Sequence, residues 1–314
     1  MSAEPRRAGK TAVKKVPLGT RVISVLATPF APFLGLGLSY MLFHPPARAH
    51  HKKASDFGLP DPEDLRVPIG GGKHIDAWLC HNDPRRLVVI GHGIGLSKSA
   101  SLRHAKFLYD AGYTVCLFDH RNHGRSSRDR SLVGLSDTFT TDVVTLVRAL
   151  QDRPEYASAK VAVYGFSFST FPVSYILRDD SVRIDAVICD SGPGIELVPI
   201  FRNFLDAGLL PLPKPFTVQP ARFGVEKVLC AAAPAMLRAE WPPPVSENYT
   251  KVPMLFMAAG DDRLLPPSSI EAFAELYPRT EVHVLPGVDH LQGMKEEPEK
   301  YSSTVLDFLS RVLD

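Results

Sequence analysis

Residues 164–169 have the sequence Tyr-Gly-Phe-Ser-Phe-Ser and carry the clearest structural signal in this chain. A strand-like run precedes them and a helix-like run follows, so a serine stands on a sharp strand-to-helix turn, the arrangement known as a nucleophile elbow. The strained backbone of that turn requires small residues two positions before and after the serine. Gly165 and Ser169 meet this requirement for Ser167. If Ser169 were the nucleophile, Phe171 would occupy the crowded second position. Ser167 is therefore the predicted nucleophile.

A serine hydroxyl becomes reactive at neutral pH only beside a histidine base that is oriented by a buried carboxylate. Around a nucleophile elbow these partners come later in the chain, first the acid and then the histidine. Downstream, residues 252–258 predict a buried strand that runs into a turn with Asp261 and Asp262. Residues 280–285 predict the next strand, which is followed by His290. The acid and base candidates thus both follow the carboxyl ends of strands, where open α/β sheets place their active sites.

A glycine-rich loop, Gly-His-Gly-Ile-Gly at residues 91–95, follows the uninterrupted apolar run Leu-Val-Val-Ile. Such a run is typical of a parallel strand that is buried on both faces. Because the glycines allow the backbone to approach a ligand, His92 and Gly93 are predicted to bind substrate. The backbone N–H groups of Ile94 and Phe168 are the predicted oxyanion donors. One such donor typically stabilises a transition state by about 3 kcal/mol.

From about residue 64 to residue 314, the chain resembles the α/β-hydrolase family. Four family landmarks occur in the expected order: the His-Gly loop, the D-x-R-x-x-G-x-S loop at residues 119–126, the elbow, and the Asp and His pair. The loop at residues 119–126 is similar to that of the serine aminopeptidase and monoacylglycerol-lipase-like branch. The resemblance implies a serine hydrolase with Ser167, Asp262 and His290 as its catalytic triad.

The choice of the acid rests partly on this resemblance. The family acid tends to precede a proline by four residues, as Asp262 precedes Pro266, which favours Asp262 over Asp261. Asp190, at the end of another predicted strand, is the alternative acid. The sequence departs from the family pattern in two places: Ser169 replaces the usual elbow glycine, and the acid comes two rather than three residues after the preceding glycine.

Helical and strand-like patterns alternate from residue 64 onward. This alternation predicts an α/β fold with a mostly parallel central sheet and helices on both faces. Residues 191–251 interrupt it where the family places its cap, and they are rich in Leu, Phe and Pro. The insertion is interpreted as a lid over an acyl-binding pocket, with an ordinary packed insertion as the alternative. An apolar lid favours an uncharged or acyl substrate.

The segment before the hydrolase-like domain differs in composition. Residues 1–21 form a basic tail with six Lys or Arg and one Glu, and residues 22–43 contain no charge. Since about 20 residues cross a bilayer, residues 22–43 are predicted to be a single-pass transmembrane signal anchor, and residues 44–63 a linker. The denser positive charge before the span predicts an extracytoplasmic catalytic domain. The prolines that follow the span also resemble those of membrane-anchored bacterial α/β-hydrolases.

Two alternatives to the anchor remain. A signal peptide cleaved at the Ala-Arg-Ala of residues 47–49 would make the protein secreted, although the apolar run is longer than a usual signal-peptide core. The other alternative is a hydrophobic N-terminal helix that packs on the domain.

Composition excludes several other classes of protein. A net charge near +2, without a basic face beyond the N-terminus, argues against nucleic acid as a partner. The four cysteines have neither metal nor redox spacing, and Cys116 and Cys189 are predicted to be buried free thiols. The sequence implies no metal and no organic cofactor.

The predicted function is therefore hydrolysis of a carboxylic ester with an apolar, lipid-like acyl group through an acyl-enzyme. A thioesterase, an acyltransferase or a peptidase would use the same triad. A non-catalytic binding protein of the same fold is the alternative from another class.

Overall fold

The computed structural model describes residues 17–46 and 52–314. Residues 1–16 of the basic tail, and the Ala-Arg-Ala of residues 47–49, lie outside the described residues. The strands are β1 (Glu63–Pro68), β2 (His74–Cys80), β3 (Asp83–Gly91), β4 (Tyr113–Phe118), β5 (Lys160–Phe166), β6 (Ala186–Asp190), β7 (Met254–Ala259) and β8 (Thr280–Leu285). They form an eight-stranded sheet of order β1-β2-β4-β3-β5-β6-β7-β8. The β1–β2 and β2–β4 pairs are antiparallel and the other pairs are parallel, as predicted.

Helices cover both faces of this sheet. They are α1 (Leu18–Ala27), α2 (Ala31–Phe43), α3 (Leu102–Asp110), α4 (Leu135–Gln151), α5 (Thr170–Tyr175), α6 (Leu197–Asp206), α7 (Ala221–Leu237), α8 (Glu247–Lys251), α9 (Pro267–Ala274), α10 (Gly293–Glu296) and α11 (Pro298–Leu313). Successive side chains of a strand point to opposite faces, so Val89 packs in one apolar core with α4, α5 and α9. Val88 and Ile90 pack in the other core with α3 and α11. All four cysteines are free, and Cys116 and Cys189 are buried, as predicted.

The insertion between β6 and β7 contains α6, α7 and α8. Its first two helices build a third apolar core together with α2 and α4, and this core includes Phe201, Leu229 and, from α4, Phe139. The predicted cap segment is therefore helical and rests beside the elbow. Its role as a lid over substrate stays a prediction.

The predicted membrane span lies within α1 and α2, which are joined by a short 3-10 turn at Thr28–Phe30. From Leu18 to Phe43 the chain is long and apolar enough to cross a bilayer, with a mean hydropathy of 1.7 over an 18-residue stretch. However, α2 packs lengthwise against α7. A Cβ on Gly35 would lie 2.8 Å from the Cβ of Val228, so the two helices come this close only because glycine stands there. The structure thus shows a hydrophobic helix packed on the domain, while anchoring in a membrane stays a prediction.

Candidate active site

The strand-to-helix turn after β5 has the geometry expected of a nucleophile elbow. Ser167 follows the last residue of β5 and has φ +50°, a left-handed conformation that is strained for a residue with a side chain. The strain is maintained by close packing beneath the turn. A Cβ on Gly165 would lie 2.6 Å from both the carbonyl group of Ser169 and the side chain of Val173, so only glycine fits there. The turn therefore pushes the Ser167 hydroxyl out of the sheet and toward the cap.

His290 lies between Ser167 and Asp262. The Oγ–H of Ser167 donates to Nε2 of His290 at 2.9 Å, and Nδ1–H of His290 donates to Oδ2 of Asp262 at 2.6 Å. The Asp262 side chain is fully buried, and its Oδ1 accepts the backbone N–H groups of Leu264 and Leu265 at 2.8 and 2.9 Å. These bonds fix the carboxylate, which in turn fixes the tautomer of His290 with Nε2 free to accept a proton. The structure thus brings the three predicted residues together in the order that serine catalysis requires.

The two other candidate acids point elsewhere. Asp261 is exposed at the surface. Asp190 is buried, and it accepts hydrogen bonds from the hydroxyls of Tyr301 at 2.5 Å and Ser191 at 2.8 Å. Burial raises the pKa of the Asp190 carboxyl above its ordinary value. Since Ser191 Oγ also accepts the N–H of Leu291 at 3.1 Å, Asp190 supports the loop that carries the histidine.

Ser169, which stands in place of the usual glycine, is bonded to the D-x-R-x-x-G-x-S loop. Its Oγ lies 2.9 Å from Nε2 of His120. Burial holds the pKa of the His120 imidazole well below its ordinary value, so the ring is neutral. The hydroxyl occupies the space above Gly91, where a Cβ would come within 1.9 Å of it. The extra oxygen is therefore accommodated by a glycine on β3 and paired with a histidine.

Replacement of Ser169 by alanine is expected to cost stability, because Nε2 of His120 would lose its partner in a buried site. An unpaired buried polar group costs about 1–3 kcal/mol, and chemical denaturation should show that loss in the free energy of unfolding. Ser174→Ala is the matched control, since Ser174 is buried on the helix that follows and its hydroxyl donates to the carbonyl of Phe171. Equal stability of the two variants would contradict a structural role for the His120 contact.

Neutral histidines support the predicted oxyanion loop at residues 91–95. Nε2 of His123 accepts the N–H of Gly95 at 3.1 Å, and its Nδ1–H donates to the carbonyl of Arg121 at 2.9 Å. Burial lowers the pKa of His123 to about 3, which keeps Nε2 an acceptor. His92 is turned into the interior, where its Nε2 accepts the N–H of His120 at 3.2 Å. Hydrogen bonds between the D-x-R-x-x-G-x-S loop and the glycine-rich loop thus fix the position of the glycine-rich loop.

The predicted substrate and oxyanion residues occupy different positions around the nucleophile. Ile94 and Phe168 both line a cavity that opens onto Ser167. Gly93 lies against the nucleophile, since a Cβ there would be 3.7 Å from the Cβ of Ser167. The His92 side chain has no exposed surface and does not line the cavity. Donation to an oxyanion by Ile94 and Phe168, and substrate binding by His92 and Gly93, stay predictions.

The cavity beside Ser167 has a volume of about 70 Å³ and is almost entirely apolar. None of the described residues that line it is charged. Its walls come from α6, from the start of α5, from the residues after α7, and from the C-terminal end of α2. They include Phe171, Leu197, Phe201, Phe204, Leu237 and Trp241. This composition suits a hydrocarbon chain rather than a sugar or a nucleotide.

Two cavity residues were missed from the sequence. Leu42 and Phe43 belong to the predicted membrane span, yet both line the cavity, and the Phe43 ring lies 6.3 Å from the Phe168 ring. The carbonyl of Phe43 also accepts a hydrogen bond from Nδ2 of Asn122 at 3.0 Å. Hydrophobicity alone does not distinguish a helix covered by lipid from one covered by protein. No local signal in the sequence could have assigned these residues to the site.

Comparison with known proteins agrees with this geometry. The chain matches the model of the Alpha/beta hydrolase family over residues 87–303, more than half of its length. The chain belongs to the alpha/beta hydrolase family. Both the predicted family and the predicted fold are thereby confirmed.

Proteins similar to this chain include a lipase and two esterases. A monoacylglycerol lipase of Mycolicibacterium smegmatis is 35% identical over 88 residues, which are 27% of this chain and 31% of that enzyme. The match thus spans about a third of the curated relative. An esterase of Pyrococcus furiosus is similar in structure, with a TM-score of 0.69 at 22% identity over 86% of this chain and 97% of that one. An esterase of Exiguobacterium antarcticum is also similar in structure, with a TM-score of 0.57 at 18% identity over 79% of this chain and 100% of that one. At these identities the structural likeness shows the fold, and the family supports the prediction of a hydrolase enzyme.

Proposed function

We propose that this protein is a serine hydrolase that cleaves carboxylic esters with an apolar acyl group through an acyl-enzyme. The observation that carries the proposal is the position of His290, within hydrogen-bond distance of both Ser167 and Asp262 at the mouth of an apolar cavity. The nucleophile, the base and the orienting acid are each supplied by a different loop past the carboxyl end of a strand. Such an arrangement is the geometric signature of nucleophilic serine catalysis.

In the proposed mechanism, Ser167 Oγ attacks the ester carbonyl carbon while Nε2 of His290 takes the hydroxyl proton. The buried carboxylate of Asp262 stabilises the resulting imidazolium. The carbonyl oxygen becomes negative, and the backbone N–H groups of Ile94 and Phe168 are proposed to bind it. Collapse of the intermediate expels the alcohol, which receives the proton from Nε2 and leaves the acyl group on Ser167. Water then attacks this acyl-enzyme, gives a proton to Nε2, and the carboxylic acid departs as Oγ regains its proton.

The lining of the cavity supports an apolar acyl group as the part of the substrate that is recognised. Each methylene buried there contributes about 0.8 kcal/mol, which is roughly a fourfold gain in affinity. The curated relative is a monoacylglycerol lipase, which is consistent with a lipid-like ester. The apolar N-terminal helix supports a further part of the proposal, namely that the enzyme works at a membrane.

A fluorophosphonate probe and a series of p-nitrophenyl esters test the proposal together. The protein should be labelled stoichiometrically, and kcat/KM should rise about fourfold per added CH₂ from acetate until the cavity is filled. Acyl-CoA thioesters and peptide anilides of matched length serve as the comparison for thioesterase and peptidase activity. Absence of labelling would favour a non-catalytic binding protein. A preference for acetate would contradict the acyl cavity.

A further inference from the structure

We propose that α1 and α2 dock this protein in the plane of one leaflet of a lipid bilayer, with their outer face in the hydrocarbon, and do not cross the membrane. The docking rests on the packing and exposure of the helices and on the charges near them. Its consequence, that the acyl group of a membrane lipid reaches the cavity along α2, rests in addition on the proposed ester hydrolysis.

The inner face of the two helices is fixed to the domain from end to end. In α1, Ser24 is fully buried; its Oγ donates to the carbonyl of Val218 at 2.9 Å and accepts the N–H of Ala221 at 3.2 Å. In α2, Ala31 is fully buried, with its Cβ facing Gly224 of α7. At the end of α2, the carbonyl of Phe43 is bonded to Asn122. Polar and close-packed contacts of this kind belong to a domain surface rather than to a helix that leaves the domain.

A membrane-spanning arrangement would require these contacts to be broken. A helix of 26 residues is about 39 Å long, enough to cross the roughly 30 Å hydrocarbon core of a bilayer, but only if it leaves the surface of the domain. Moving it there would expose Val225, Leu229 and Ala233 of α7, all fully buried in the structure. It would also remove Leu42 and Phe43 from the wall of the catalytic cavity. The observed packing therefore favours a helix pair that lies flat on the membrane.

The outer face of α1 and α2 is an exposed apolar surface, here called the docking face. Eight of the fifteen exposed large hydrophobic side chains of the described residues belong to it. They recur at helical spacing and point away from the domain, and they are Leu18, Val22, Ile23, Val25, Leu26, Phe30, Phe33 and Leu36. Leu26 and Phe33 are 70% and 75% exposed. Soluble monomers rarely leave so continuous an apolar surface in water.

Charge favours a lipid surface over a second copy of the chain as the occupant of the docking face. Residues 1–46 contain six Lys or Arg and a single Glu, and none of the acidic residues lies within residues 17–46. Lys214 and Lys227 are exposed on the neighbouring cap segments, and Lys227 lies over the ring of the exposed Phe223. An apolar helix face bordered by basic residues binds the interface of an anionic bilayer. A dimer through this face would bring the like charges of the exposed Arg21, Lys214 and Lys227 in the two copies closer together.

The docking face is continuous with the route to the nucleophile. A groove at the C-terminal end of α2, here called the access groove, is lined by Met41, Pro46, Leu209 and Leu210 among others. It shares Leu42, Ile94 and Phe204 with the catalytic cavity. An acyl chain drawn from the leaflet at this end of α2 would therefore remain in contact with apolar side chains until its carbonyl group reached Ser167.

Sedimentation of the full-length protein with phosphatidylcholine and phosphatidylglycerol vesicles tests the docking without any need for turnover. The double variant Leu26→Glu/Phe33→Glu should bind vesicles at least about tenfold more weakly, since two buried apolar side chains are replaced by charges. Val245→Glu/Leu276→Glu is the matched control: it makes the same change at exposed apolar positions near α8 and α9 and should bind as the unaltered protein does. Circular dichroism and the Tm show whether both variants are folded. Equal binding of the two variants would overturn the docking face. So would a dimer, formed without vesicles, that only Leu26→Glu/Phe33→Glu dissociates.

Labelling with a membrane-impermeant maleimide tests the orientation. Ser2→Cys and Ser303→Cys are placed separately in a Cys230→Ser background, since Ser2 precedes both helices in the sequence and Ser303 is exposed on α11. In sealed membrane vesicles of known orientation, in-plane docking predicts that both sites react from the same side. Reaction of one site only after addition of detergent would show a membrane-crossing segment and overturn the proposal. If vesicle binding and same-side labelling are observed while ester hydrolysis is not, the docking stands and the proposed function fails.

Discussion

Ser167→Ala is expected to abolish fluorophosphonate labelling and to lower ester turnover by about a million-fold, because it removes the oxygen of the proposed nucleophile. The remaining contacts of the elbow do not depend on that oxygen. Gly165 still fits beneath the turn, and Thr170 Oγ1 still donates to the carbonyl of residue 167 at 2.5 Å. The variant should therefore unfold at nearly the same Tm as the unaltered protein. Burst kinetics with a p-nitrophenyl ester, together with intact-protein mass spectrometry of the labelled enzyme, measure the loss.

Two serines close to Ser167 provide the comparison. Ser174→Ala removes a buried hydroxyl from the following helix and should retain turnover, since that hydroxyl donates to the backbone carbonyl of Phe171. Ser169→Ala should retain labelling even though it costs stability. Undiminished esterase activity in folded Ser167→Ala, combined with its loss in Ser169→Ala, would place the nucleophile at residue 169.

Asp262→Asn is expected to lower turnover by roughly ten-thousand-fold while leaving labelling slow but detectable. The reason lies in the two backbone N–H groups, from Leu264 and Leu265, that Oδ1 accepts. An asparagine keeps those bonds with its carbonyl oxygen and therefore turns its amide NH₂ toward Nδ1 of His290. Nδ1 must then accept, so the ring proton moves to Nε2, where it prevents uptake of the proton from Ser167. The pH dependence of kcat/KM and the rate of labelling both measure this effect.

The two other aspartates distinguish the acid from its neighbours. Asp261→Asn alters an exposed carboxylate and should leave turnover within about twofold, consistent with a surface position away from buried networks. Asp190→Asn should lower the free energy of unfolding by about 1–3 kcal/mol, because the two carboxylate oxygens accept hydrogen bonds from the hydroxyls of Tyr301 and Ser191 and an amide NH₂ cannot accept one. Its effect on turnover should be far smaller than that of Asp262→Asn. The reverse ranking of the Asp190 and Asp262 variants would identify Asp190 as the catalytic acid.

The sequence by itself predicted the fold and placed Ser167 and His290 together at the candidate site, whereas the choice of Asp262 over Asp261 and Asp190 also drew on the family resemblance. Apolar runs that end in Gly, Ser, Asp or His specify buried parallel strands, and the carboxyl ends of such strands meet at one edge of the sheet. The small residues around Ser167 specify the turn, since no larger residue fits beneath it. These signals come from residues that are close together in the sequence, so they can be recognised without the tertiary structure. The free cysteines followed from the same reasoning, because Cys116 and Cys189 stand inside apolar strands.

Only the tertiary structure decided which surfaces close the cavity and where the N-terminal segment lies. A run of 22 uncharged residues can be buried in a bilayer or against a protein surface, because both environments remove apolar side chains from water. The distinction depends on α7, nearly two hundred residues away, where Gly224 and Val228 receive Ala31 and Gly35. The pairing of Ser169 with His120 is hidden for the same reason, since it joins two loops that are distant in sequence. Contacts between such distant segments depend on how the whole domain packs. No periodicity or motif within either segment predicts them.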